Sequence, residues 1–90
     1  MIVIWDAKKA KANFDKHGIS FEEAMTVLES QVQLILEDRE HHEERFVALG
    51  LSSKLNLLVV VYCYREHEVV RIISARKATR GEREEYEKRV

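Results

Sequence analysis

Residues 57–61 read Leu-Leu-Val-Val-Val and lie in the most apolar stretch of the chain, residues 55–64. An unbroken apolar run of this length, rich in β-branched side chains, predicts a central β-strand that is buried on both faces of its sheet. The run is much shorter than the roughly 18 apolar residues that indicate a membrane-spanning helix. Other strands must therefore flank this strand, and other elements must cover it.

The residues before this strand predict one short strand and two helices. Residues 2–5 are apolar and predict the strand. The first helix is expected to begin after Asp6 and to end at Gly18, which can adopt the left-handed conformation. Its residues at helical spacing are Ala7, Ala10, Phe14 and His17. The second helix opens on a capping box, Ser20 with Glu23, and its predicted buried stripe is Phe21, Ala24, Met25 and Leu28.

Three further strands and a closing helix complete the pattern. Residues 32–36, 45–49 and 69–76 predict the strands, separated from their neighbours by the charged turn 37–44, by Gly50 and by the polar turn 65–67. Thr79 and Glu82 form the capping box of the last helix. This order predicts an α+β fold in one domain, residues 1–90. The first two helices are expected to pack on one face of a small antiparallel sheet and to leave the other face partly free.

Composition excludes several classes of protein. The net charge of −1 argues against a uniformly basic nucleic-acid binder. The single cysteine, Cys63, allows neither an internal disulfide nor a cysteine-rich zinc site, and its apolar surroundings predict a buried thiol. No apolar run is long enough for a membrane span, and charges follow the first five residues too soon for a signal peptide. The cytoplasm is therefore the expected compartment.

The sharpest charge asymmetry lies in residues 70–80, which contain no acidic residue and four basic ones: Arg71, Arg76, Lys77 and Arg80. Arginines at a strand end, followed by a helix N-terminus, suit phosphate recognition. The alternative is that these side chains pair with the acidic runs in residues 37–44 and 82–87. On a regular strand Arg71 and Arg76 would point to opposite faces, so a shared site requires a bulge or the end of the strand.

Two other segments carry candidate functional residues. Lys16 and His17 precede Gly18 and could bind phosphate, or they could simply complement the dipole of the first helix. Residues 38–45 read Asp-Arg-Glu-His-His-Glu-Glu-Arg, in which His41 or Glu44 could transfer protons. Their spacing does not fit a helical metal motif, so no metal is expected, and a solvated turn is the simpler alternative.

Longer motifs give a family resemblance across essentially the whole chain. They are Trp5-Asp6, Asn13, residues 16–24 (Lys-His-Gly-Ile-Ser-Phe-Glu-Glu-Ala), Glu44-Arg45-Phe46 with Gly50, residues 57–61, residues 71–78 (Arg-Ile-Ile-Ser-Ala-Arg-Lys-Ala), and Glu82, Tyr86 and Glu87. Together these motifs resemble the BrnT family of bacterial toxins. The two runs that begin at Lys16 and Arg71 make the combination specific.

The resemblance implies a fold similar to RelE-type ribonuclease toxins and an activity that cleaves RNA and inhibits translation without metal or cofactor. It implies a cognate BrnA-like antitoxin with a ribbon-helix-helix part, through which the complex binds operator DNA. The catalytic residues it suggests are His41, Glu44 and Arg76. The RNA-binding residues it suggests are Lys16, His17, Arg71, Lys77 and Arg80.

Two other functions compete with this one. The first is a non-catalytic interaction domain that docks a partner through its sheet and its last helix, whose only large apolar residues are Tyr86 and Val90. The second is a direct DNA-binding protein, but the last helix carries as many acids as bases and does not suit a recognition helix.

Overall fold

The computed structural model describes residues 1–37 and 44–90. Its elements, in chain order, are β1 (Ile2–Ile4), α1 (Ala7–His17), α2 (Phe21–Glu29), β2 (Gln33–Glu37), β3 (Phe46–Leu51), β4 (Leu57–Glu66), β5 (Val69–Lys77) and α3 (Arg80–Arg89). This order confirms the predicted α+β fold. Within the described part of the chain, no helix is long and apolar enough to cross a membrane.

The five strands form one sheet in the order β1-β5-β4-β3-β2. Strands β2 to β5 pair as an antiparallel meander, as predicted. Strand β1 instead joins β5 in parallel, so the sheet is mixed. The apolar strand β4 lies at the centre, and Leu58, Val59 and Val60 are all buried there.

The two faces of the sheet are covered differently. On one, which we call the α1/α2 face, Leu58, Val60 and Tyr62 of β4 pack against the two first helices. On the opposite α3 face, Leu57 and Val59 pack with Leu49 beneath Tyr86 of the last helix. The larger cluster is on the α1/α2 face, where the ring of Phe21 is fully buried and meets Trp5 edge-on at 6.1 Å between centroids.

Helix α1 has the predicted ends, and its contact face matches the predicted one only in part. Asp6 accepts a hydrogen bond from the Lys8 N–H at 2.8 Å, and Gly18 adopts a left-handed φ of 71°. Phe14, which spacing placed on the packing face, is 53% exposed. The buried residue of α1 is Asn13, because a buried polar contact with β5 orients this helix.

Helix α2 is capped by Ser20, but Glu23 does not complete the predicted box. The Glu23 carboxylate instead accepts hydrogen bonds from Ser52 Oγ at 2.6 Å and Asn56 Nδ2 at 2.8 Å. Burial raises the pKa of Glu23, but these two bonds, together with the charges of two nearby lysines, hold the pKa below its ordinary value. The network ties α2 to the β3–β4 connection.

Helix α3 begins with the predicted capping box. Thr79 Oγ1 accepts from the Glu82 N–H at 3.2 Å, and the Glu82 carboxylate accepts from the Thr79 N–H at 2.8 Å. None of its residues is buried. The helix is therefore held on the sheet by few contacts, of which Tyr86 is the apolar one.

Candidate functional site

A bulge in β5 determines which basic side chains share a face. Val61 pairs with Ser74 and Tyr62 pairs with Ile72, so Ile73 is an extra residue on β5. Arg76 then stands opposite Val59, and Arg71 stands opposite Cys63. Because Val59 and Cys63 are an even number of positions apart on β4, both arginines belong to the α3 face. The bulge that a shared site required is present.

Arg76 lies beside the start of α3 and is engaged by it. Its Nη1 and Nη2 donate to the two carboxylate oxygens of Glu82 at 2.7 and 2.9 Å, and Nη1 also donates to the Lys77 carbonyl at 3.3 Å. Donating these hydrogen bonds to Glu82 raises the pKa of Arg76, and accepting them lowers the pKa of Glu82 to about 2. Pairing with the acidic run 82–87, the alternative raised by the sequence, is thus partly correct.

The Glu82 pair leaves one hydrogen-bonding edge of Arg76 open. A guanidinium carries five N–H donors, and Glu82 occupies the edge formed by Nη1 and Nη2. The remaining edge consists of Nε–H and the second N–H of Nη2. It has no hydrogen-bond partner within residues 1–37 and 44–90, and 40% of the side chain is exposed. Such an edge can hold two oxygens of one phosphate.

Arg71 is held more loosely at the other end of this face. Its Nη2 lies 4.0 Å from Asp6 Oδ2, the same carboxylate that caps α1. In the sheet register it stands between Ile4 of β1 and Cys63 of β4. The β4 residues that pair with Arg71 and Arg76 are four positions apart, which is about 13 Å along a strand. The two arginines can therefore contact different phosphates of one nucleic-acid strand.

The surface between the two arginines is mixed in polarity. Val61, Ile73 and Ser74 are half-buried there. Cys63 is also half-buried, so the predicted fully buried thiol is wrong. The thiol is partly exposed because Cys63 pairs with Arg71 and lies beyond the cluster that α3 covers.

The other candidate residues lie elsewhere. Lys77 pairs with Leu58, a residue of the α1/α2 face, so it points away from Arg76. Lys16 is exposed and His17 is half-buried at the end of α1, in the helical layer on that same face. Arg80 is almost fully exposed on α3 and lies 3.5 Å from Glu84. The structure therefore brings together Arg71 and Arg76 but not these four residues.

Of the two proposed proton-transfer residues, the structure describes Glu44, which lies near the start of β3. Glu44 is exposed and precedes Arg45, which leads into β3. Continuing the β3–β4 register by one residue places Arg45 beside Cys63, at the Arg71 end of the sheet. His41 lies outside the described residues. In the described ranges, no three side chains of the types His, Cys, Asp and Glu group together in a way that could hold a metal ion.

Asn13 is the residue near this site to which spacing assigned no function. Its Nδ2 donates to the carbonyls of Ala75 at 2.8 Å and Ile19 at 3.1 Å, and its Oδ1 accepts from the Ala75 N–H at 3.1 Å. The sequence carries one signal for it. Asparagine is a poor helix former, and here it stands in the middle of a predicted helix.

The Arg76–Glu82 pair gives a pH-dependent contribution to stability. Since Glu82 is stabilised in its charged form, the contribution is complete above its ordinary pKa of 4.5 and is lost as the pH falls towards about 2. We expect Glu82→Gln to lower the free energy of unfolding by about 1–2 kcal/mol at pH 7, a range reduced for the partial exposure of the pair. Urea unfolding of the wild type and of Glu82→Gln should show that the difference between their free energies of unfolding becomes smaller below pH 4.5. A difference in free energy of unfolding that stays constant down to pH 3 would contradict the stabilisation of charged Glu82 by Arg76.

Comparison with known proteins identifies relatives of this fold and sequence. A family model described as the ribonuclease toxin BrnT of type II toxin-antitoxin systems matches residues 5–82. The crystal structure of the Brucella abortus ribonuclease toxin BrnT is similar, with 26% sequence identity and a TM-score of 0.71, over 89% of this chain and 99% of that one. No curated protein matches in a sequence comparison.

Proposed function

The chain belongs to the BrnT family of ribonuclease toxins of type II toxin-antitoxin systems, and we propose that it cleaves RNA without a metal ion. The observation that carries this proposal is the bulge at Ile73, because it places Arg71 and Arg76 on one face of the sheet, each with part of its side chain exposed. We propose further that cleavage takes place in the cytoplasm and inhibits translation.

Metal-free cleavage of RNA requires three tasks at one phosphodiester. The 2′-oxygen forms a bond to phosphorus while its proton passes to a base, and the bond from phosphorus to the 5′-oxygen breaks as that oxygen receives a proton. The phosphoryl oxygens carry extra negative charge in between. A preorganised cationic donor that stabilises this charge is worth about 3–4 kcal/mol.

We assign charge stabilisation to Arg76. Glu82 fixes the plane of its guanidinium through two hydrogen bonds, so the open edge with Nε is oriented before RNA binds. Glu82 is in this view a support for Arg76 rather than a competitor of the phosphate. His41 and Glu44 are the proposed proton-transfer groups, and Glu44 is exposed at the start of β3.

The remaining basic residues are assigned to phosphates that flank the scissile one. Arg71 is assigned to another phosphate of the same strand on the α3 face, since it lies four β4 positions, about 13 Å, from Arg76. The residues expected to contact more distant phosphates are Lys16, His17, Lys77 and Arg80. The first three lie on the other face of the sheet, so their contacts require RNA that passes around an edge of the sheet.

A type II toxin has a cognate antitoxin. We propose that this antitoxin is BrnA-like, with a ribbon-helix-helix part, and that operator DNA is bound only through the complex. The toxin chain alone has a net charge of −1, which supports an indirect route to DNA.

The experiment that tests the proposed chemistry is cleavage of naked RNA by the purified chain in excess EDTA, with translating ribosomes tested separately in magnesium buffer. We expect the same rate as in magnesium and a 2′,3′-cyclic phosphate at the new end, since the 2′-oxygen is the nucleophile. An oligonucleotide with one 2′-deoxyribose at the cleavage position is the matched control and should stay intact.

Two results would count against the proposal. Cleavage that stops in EDTA would contradict metal independence. A folded chain that cleaves neither substrate would favour the non-catalytic interaction domain instead. Arg76→Ala, purified in the same way, reveals any contaminating ribonuclease.

A further inference from the structure

We propose that Asn13 is a positioning residue for RNA cleavage, because its side chain holds the backbone of Ala75 and thereby sets the bulged part of β5 that directs Arg76. The proposal rests on the proposed function of Arg76. It assigns Asn13 no contact with RNA.

The first argument is that Asn13 takes the place of a missing strand. Strand β1 covers the outer edge of β5 only as far as the pair Ile4–Arg71. Beyond that pair, Ala75 directs its N–H and its carbonyl away from β4. Asn13 Oδ1 accepts from the Ala75 N–H at 3.1 Å, and Asn13 Nδ2 donates to the Ala75 carbonyl at 2.8 Å. A neighbouring strand would make the same pair of bonds.

The second argument is that the amide group itself has a fixed orientation. Asn13 is 8% exposed, and its Nδ2 makes a further bond to the Ile19 carbonyl at 3.1 Å, in the connection between α1 and α2. Three hydrogen bonds determine both the position of the amide and which end is the donor. Because an unpaired polar group is costly at a buried site, the backbone of Ala75 has little freedom to move.

The third argument concerns the register of β5. Ala75 lies between the bulge at Ile73 and Arg76. If Ile73 paired with a residue of β4, the register of the two strands would shift by one residue. Every β5 side chain after Ile73 would then point to the other face of the sheet. Arg76 would then leave the face it shares with Arg71. Asn13 anchors Ala75 on the Arg76 side of the bulge and so selects the register that keeps the two arginines together.

The test is a double-mutant cycle on cleavage of an RNA oligonucleotide, below the unfolding transition of every variant. Asn13→Asp keeps the shape and the acceptor but loses both donors, and Asn13→Ala, which introduces no charge, is measured in parallel. Each is made alone and combined with Arg76→Ala. Val27→Ala, a core truncation in α2, is the control for lost stability alone.

We expect Asn13→Asp to lower kcat by about 100-fold with little change in KM, the size associated with a small misplacement of a catalytic group. In the Arg76→Ala background the same substitution should change the rate by less than about twofold, because the group that it positions is already absent. Val27→Ala should keep the wild-type kcat.

Two outcomes overturn the positioning role while leaving Arg76 catalytic. One is a wild-type kcat in both Asn13 variants, and the other is the same fold loss in both backgrounds. If Asn13→Asp does not fold, the cycle with Asn13→Ala decides between the same outcomes. A wild-type rate for Arg76→Ala alone would overturn the proposed function and this inference with it.

Discussion

Arg76→Ala is expected to lower the rate of RNA cleavage by about 10²–10³-fold, the loss typical of removing one preorganised donor from a developing negative charge. On the α3 face, the Arg76 guanidinium is oriented by a two-point contact with the Glu82 carboxylate. Single-turnover cleavage of a defined oligonucleotide measures the effect. Arg83→Ala, an exposed arginine of α3, is the matched control and should cleave at the wild-type rate.

Two further variants separate the possible reasons for that loss. Arg76→Lys keeps the positive charge beside Glu82 but lacks the second hydrogen-bonding edge, so it should remain strongly impaired. Glu82→Gln keeps Arg76 but weakens the attachment of α3. Because Glu82 also orients Arg76, this variant should lose part of the activity, less than Arg76→Ala loses, and an unchanged rate would contradict the supporting role of Glu82.

Phe21→Ala is expected to lower the free energy of unfolding by about 3–5 kcal/mol, the usual cost of truncating a fully buried aromatic ring. Phe21 has no exposed surface and lies in the main cluster against Trp5. This cost is a large share of the roughly 5–15 kcal/mol by which small domains are stable.

Phe14→Ala provides the matched control. The residue has the same chemistry but lies 53% exposed on α1, so truncation should cost less than about 1 kcal/mol. Urea unfolding measures the loss in free energy of unfolding for each variant, and the two losses can be compared if the m-values are equal. Equal losses would contradict the packing of α1 and α2 described above and restore the contact face that helical spacing predicted for α1.

Features that depend on neighbouring residues could be predicted from the sequence. The central strand follows from the apolar run 57–61, and the start of α3 follows from Thr79 and Glu82, which meet within one helical turn. The contact face of α1 could not be predicted, because it depends on a bond between Asn13 and Ala75, 62 positions away. The parallel pairing of β1 is a long-range choice of the same kind, since three apolar residues do not specify a partner.

The candidate site was predictable in composition but not in geometry. A run of basic residues without acids marks Arg71 and Arg76 in the sequence. Their common face depends on a bulge at Ile73. Neither this residue nor the residues beside it in the sequence are typical of a bulge. Lys77 follows Arg76 directly on β5 and therefore points to the opposite face of the sheet. For Glu23, the local capping signal was overridden by Ser52 and Asn56, which the fold brings close.

The pairing of β1 with β5 also affects when toxicity can arise during synthesis. Strand β5 is flanked by the first strand of the chain and held by Asn13 of the first helix, so its contacts are of high sequence separation. Contacts of this kind form late and slow the folding of small domains. A nascent chain that has not emerged beyond residue 77 has no assembled arginine face. The topology thus delays the appearance of the proposed RNA-cleaving surface beside the ribosome that is making the chain.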